Sequence, residues 1–234
     1  MAAQAGLGER LLVGIDCAFA LPAPMAAGLL GGDYSAGELW AYIDATCAGE
    51  ADFFGGGFAK HERHAGHFWH SGPRPAGFAE LHRATEHACR AAGLGSPESP
   101  LKLVGARQVG KGGLAGMRVL QALKQNLGDR FAVWPFDPVD NADIVCIELY
   151  PRLFMKMGGH GNGKIRTLEA LNRNLAALDA GPYADPAETL SDHETDALVA
   201  AAGLRFIAGD RAVWSPAGLD TLAIRAEGWI FGVT

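Results

Sequence analysis

The chain has 234 residues, 49% of them apolar and 20% charged, with a formal net charge of −6. That apolar content is enough for a packed core and excludes an intrinsically disordered chain. The acidic balance excludes a protein held on nucleic acid by bulk positive charge, so any role there needs local patches or metal ions.

Leu11 to Cys17 is a continuous apolar run interrupted by one carboxylate, Asp16, and predicts a buried central strand. Residues 18 to 32, rich in Ala, Pro and Gly, predict a loop with a short helical turn. Ser35 with Glu38 three residues later is a capping box and opens a helix to Cys47. Residues 49 to 78 combine glycines, aromatics and four histidines without a clear period, which reads as an irregular insertion. A helix near Ala79 to Ala92 follows, then the punctuation of Gly95 to Pro100.

A strand at Leu101 to Val104, a glycine-rich turn and a helix from about Leu114 to Leu127 come next. Phe131 to Phe136 and Asp143 to Tyr150 predict two further strands, the second carrying Glu148 near its end. Helices are expected at about Gly163 to Leu178 and Asp192 to Phe206, the latter opened by the Ser191/Glu194 capping box. One or two short strands are expected in Gly218 to Val233. Strands alternating with helices predict an α/β domain spanning residues 1–234, with an insertion at about 18–100.

Four scattered cysteines suit a reducing cytoplasm better than a disulfide framework. No run is long and apolar enough to predict a membrane span.

Asp16, Glu148 and Asp196 are the informative acids. The first two sit in runs expected to be buried, where an unpartnered ionised carboxylate is very costly. Asp196 shares a helix face with His193, Ala200 and Gly203, the last two small enough to permit close approach to a sheet. Three converging carboxylates would make an oxygen-rich site for Mg²⁺ or Mn²⁺ and serve phosphodiester hydrolysis. The alternative is a capping Asp16, an edge-exposed Glu148 and a solvated Asp196.

Gly14-Ile-Asp16, Glu148-Leu-Tyr-Pro151 and His193-x-x-Asp196-Ala-Leu198 resemble motifs of the RNase H-like superfamily, nearest in layout to RuvC-type resolvases. More specifically, the chain resembles a family of predicted RNase H-like nucleases. The likeness extends to Gly105-Ala-Arg-Gln-Val-Gly-Lys111, Trp134-Pro-Phe-Asp137 and Glu227-Gly-Trp-Ile-Phe-Gly232, while residues 18 to 100 match loosely. The resemblance implies an RNase H-like fold with a central mixed sheet flanked by helices, and a divalent-metal nuclease acting on nucleic acid or a nucleotide. It implies Asp16, Glu148 and Asp196 as catalytic metal ligands. His193 stands where resolvases often carry another acid, and Asp192 could substitute.

The turn Gly105 to Gly112 nearly matches a P-loop but lacks the hydroxyl residue that would hold Mg²⁺. Its readings are a tight structural turn or a phosphate-contacting loop with Arg107, Gln108 and Lys111. Two stretches, 101 to 130 and 152 to 173, are net basic, the second including Arg152 and Lys156, and could follow a phosphate backbone. The same turn in a non-hydrolytic nucleotide-binding module, and a catalytically inactive scaffold, remain the alternatives. His61, His64, His67 and His70 would drift around a helix surface rather than converge, which favours a structural or substrate-lining role with Phe68 and Trp69.

Overall fold

The computed structural model describes residues 10–106, 108–184 and 190–234. It is an α/β arrangement around a three-stranded sheet of β1 (Leu11–Ile15), β2 (Phe131–Val133) and β3 (Ile144–Glu148), in the order β1-β3-β2. Both pairings are parallel, so the mixed sheet expected from the sequence is parallel throughout the described strands. All five residues of β3 are buried, as a central strand covered on both faces must be.

The register pairs Leu11 with Ile144 and Ile15 with Glu148. Alternation then sorts the sheet into two faces. Leu11, Val13, Ile15, Phe131, Val133, Ile144 and Cys146 pack into one hydrophobic layer, and Leu12, Ala132, Val145 and Ile147 into the other.

The first layer is built by α1 (Ala23–Leu30), α2 (Ala36–Thr46), the short α3 (Gly56–Lys60) and α5 (Gly110–Leu127); α4 (Ala84–Ala91) lies between α3 and α5 in the chain. Phe19, Trp40, Phe58, Phe68 and Leu114 are buried there. Residues 18 to 100 therefore supply most of the first layer, and α1 is a full helix where a loop with one turn was expected. Within the irregular stretch, only α3 and a 3₁₀ turn at Ala65–His67 are regular. The Ser35/Glu38 box forms as expected.

The helix predicted from Leu114 begins at Gly110, because its early turns press against the chain. A Cβ on Gly110 would lie 2.5 Å from the Pro100 carbonyl oxygen, and one on Gly116 would lie 2.3 Å from Cys17 Sγ. Tertiary contact overrides the poor helix propensity of these glycines. The strand expected at Leu101 to Val104 reduces to a single bridge between Trp69 and Lys102.

The second layer holds α6 (Pro151–Met157), α7 (Leu168–Ala177) and α8 (Asp192–Ile207), followed by the single turn α9 (Arg211–Trp214). No element was expected at α6, which starts with a proline at its first position. α7 begins five residues later than predicted, since Gly159 and Gly163 hold the preceding loop at positive φ. α8 matches its prediction closely, with Ser191 and Glu194 capping it reciprocally. Close approach also matches: a Cβ on Gly203 would lie 2.1 Å from Phe154 Cδ1. The tail forms a π-helical turn at Ala223–Glu227 instead of strands, and a bridge joins Ile230 to Glu148. Among the described residues no helix is long and apolar enough to cross a membrane.

Candidate active site

Asp16 and Glu148 leave adjacent strands at the same end of the sheet, yet they serve different surroundings. Ile15 pairs with Glu148, so the next residue, Asp16, continues the opposite face, the one carrying Gly14 and Ile147. A Cβ on Gly14 would meet Leu149 Cδ1 at 2.1 Å, so that glycine is needed for the β1–β3 exit.

Glu148 turns into the first layer, where Arg83 meets it. Arg83 Nη1 donates to Oε2 at 2.8 Å and Nη2 to Oε1 at 2.5 Å, while the Phe19 backbone N–H donates to Oε2 at 3.0 Å. The same guanidinium donates to Glu86 Oε1 through Nε at 2.9 Å and to the Glu227 carbonyl at 3.0 Å. Glu227 in turn accepts the N–H groups of Ala23 and Ala84 at the starts of α1 and α4. Arg83, Glu86 and Glu148 are at most 3% exposed. Burial opposes the charge on Arg83, but Glu148 and Glu86 together outweigh it and raise its pKa. The arrangement is a bidentate, fully satisfied buried network. It joins the residues after β1, α4 and the tail.

Asp16 instead opens into a cleft of about 880 Å³ that it shares with Asp196 on the first turns of α8. Asp196 Oδ2 accepts from Lys164 Nζ at 2.6 Å, and its Oδ1 is buried without a hydrogen-bond partner. Desolvation raises the Asp16 pKa to about 6; the like charges of Asp196 and Glu148 add to the rise, while Lys164 and His193 oppose it. His193 lies with Asp16 and Asp196 around an adjoining cavity of about 520 Å³ between β1 and α8. Asp192 is drawn off by Arg166, 2.7 Å away.

The cleft is also lined by four cations, Arg90, Arg152, Lys156 and Lys164, by the acid Glu98, and by Gln108, Tyr150 and Asn162. Two of these cations are engaged in holding a loop. Arg152 donates to the carbonyls of Gly161 and Gly163 and to Asn162 Oδ1, and Lys156 donates to the same Oδ1 at 3.1 Å. The loop they fix, Gly158 to Lys164, delivers Lys164 to Asp196.

Of the residues expected to contact phosphate, Gln108, Arg152 and Lys156 line the cleft, Lys111 is exposed at the start of α5, and Arg107 lies outside the described residues. His64 is buried, its Nδ1 donating to the Phe58 carbonyl and its Nε2 hydrogen-bonded to Tyr42 Oη (2.8 Å each), and it stacks on Phe58; His61 and His67 are exposed. Arg90 was not foreseen; Arg83, which the sequence offered weakly as a substrate-phosphate contact, is instead buried against Glu86 and Glu148. The one signal for Lys164 was its place after Gly-Gly-His-Gly-Asn-Gly, a second glycine-rich turn inside a basic stretch.

Among the described residues no group of three or more His, Cys, Asp or Glu is gathered to hold a metal ion. Asp16 and Asp196 nevertheless fit a hard cation: both are oxygen donors, one offers an unpartnered buried oxygen, and burial with neighbouring acids raises the carboxyl pKa of the other. Mg²⁺ commonly takes only one or two carboxylates and completes its shell with water and substrate phosphate. No family model matches the chain, and no curated protein or solved structure matches it.

Proposed function

We propose that the Asp16–Asp196 cleft belongs to a divalent-metal-dependent phosphodiesterase acting on nucleic acid or a nucleotide, on an RNase H-like scaffold. One observation carries the reading: Asp16, its carboxyl pKa raised, and Asp196, with one buried oxygen unpartnered, line a single cleft together with four cations, one of them the Lys164 that pairs with Asp196. Asp16 and Asp196 would hold Mg²⁺ or Mn²⁺, with His193 beside them. Bound there, the ion would supply Lewis-acid polarisation of a phosphoryl group. Lys164 and Arg90 would bind and orient the phosphate, and Gln108 and Tyr150 would contact the rest of the substrate. Glu148, its oxygens occupied by Arg83 and the Phe19 N–H, would fix the geometry around Asp16 rather than ligate.

Cleavage of a labelled single-stranded oligonucleotide and of bis-p-nitrophenyl phosphate with Mn²⁺ tests the proposal. The expected outcome is activity in the wild type and a loss of at least about 100-fold in Asp16→Asn and Asp196→Asn. Equal activity in wild type and both variants would reject the site. The engagement of Glu148 favours a second reading, a non-hydrolytic phosphate-binding module, whose mark would be nucleotide binding with no turnover.

A further inference from the structure

The two carboxylate–cation pairs at this end of the sheet differ in a way that bears on how the cleft works. Arg83 holds Glu148 through two donors in a fully buried network, and parting them would strand buried charges. Lys164 holds Asp196 through one contact of 2.6 Å, with the lysine side chain 43% exposed and the carboxylate 18%. An ion pair of that exposure contributes little and can be exchanged at small cost. A lysine also brings a compact charge on a flexible stem, able to swing while its backbone stays in place. Here the backbone is held: Arg152 and Lys156 fix the preceding loop through Gly161, Asn162 and Gly163.

We propose that Lys164 is the resident counter-ion of the carboxylate pair, yielding Asp196 to a divalent cation and turning its ammonium to the substrate phosphate. The inference rests on the proposed function of the Asp16–Asp196 cleft and names the residue that couples its two ligands. An ammonium on Oδ2 and a divalent ion on the neighbouring Oδ1 compete for the charge of one carboxylate, and the ammonium released stays within the cleft that it lines. The charge of Lys164 also reaches Asp16, where it opposes the upward shift of the carboxyl pKa. Metal and phosphate therefore bind cooperatively: the first frees the group that receives the second.

Calorimetric titration of Mn²⁺ into wild type, Lys164→Gln, Lys164→Arg and Lys156→Gln tests this, followed by inorganic phosphate at saturating Mn²⁺. The expected result is Mn²⁺ affinity about two- to fivefold tighter in Lys164→Gln, with Lys164→Arg near wild type. Lys156→Gln, which removes a cleft charge that does not touch Asp196, should give a smaller gain. Phosphate affinity in the presence of Mn²⁺ should fall about tenfold in Lys164→Gln, the worth of one charge-assisted hydrogen bond. Unchanged or weaker Mn²⁺ binding in Lys164→Gln, or an equal gain in Lys156→Gln, would overturn the exchange while leaving the metal site in place. Absence of Mn²⁺ binding in the wild type would overturn the metal site and the exchange with it.

Discussion

Replacing Arg83 by methionine removes five donor interactions from a region with almost no access to water. The guanidinium serves Glu86, Glu148 and the Glu227 carbonyl, and Arg83, Glu86 and Glu148 are 1%, 2% and 3% exposed. Methionine fills much of the volume, so the loss is electrostatic more than a cavity. Breaking a buried pair by removing one partner costs about 3–5 kcal/mol, a large share of the roughly 5–15 kcal/mol that stabilises a domain. Urea unfolding at pH 8 followed by fluorescence and circular dichroism measures it. The variant also carries a signature in pH. A carboxylate buried without its cation has a folded pKa above its unfolded value, so its contribution is retained at low pH and lost as pH rises. The deficit of Arg83→Met should therefore shrink between pH 8 and pH 5. Adding Glu148→Gln should recover part of it. A loss under about 1 kcal/mol at pH 8, or one that does not vary with pH, would refute the account of the network.

Asp16→Asn should stabilise the metal-free protein at pH 8, because charging Asp16 becomes costly as pH rises from about 4 to about 6. Since the side chain opens to the cleft, the gain is put at about 1 kcal/mol, vanishing near pH 4; thermal unfolding in chelator at both pH values checks it. Gly203→Ala should destabilise by about 1–3 kcal/mol despite alanine's better helix propensity, since the new Cβ would lie 2.1 Å from Phe154 Cδ1; a higher urea midpoint would contradict the close approach of α8 to α6. Ser191→Ala should cost about 1 kcal/mol through loss of the cap on Glu194 N–H, and unaltered stability would mean that the cap contributes nothing to α8.

What the sequence disclosed was mostly local. Ser35/Glu38 and Ser191/Glu194 set helix starts through hydrogen bonds three residues apart, and both boxes form. The apolar runs around β1 and β3 were equally plain. Gly110 to Gly113 fell before the expected helix start because the contacts that make them helical come from residues 17, 18 and 100. Asp16 and Glu148 looked equivalent, each closing a buried strand. Only the pairing of Ile15 with Glu148 sends one toward the cleft and the other toward Arg83. Arg83 is 65 residues from Glu148, within the helix expected near Ala79 to Ala92, so nothing nearby in sequence announced their union. Lys164 was visible as one charge in a basic stretch, but its pairing with Asp196 depends on how the loop after α6 folds back.

The central claim, a divalent ion held by Asp16 and Asp196 and not by Glu148, is tested most directly by a crystal soaked in Mn²⁺ and measured for anomalous scattering. The account predicts one peak within ligand distance of Asp16 and Asp196, with Lys164 withdrawn from Asp196 and the Arg83–Glu148 pair intact. A peak at Glu148 with Arg83 displaced, or none in the cleft, would contradict it.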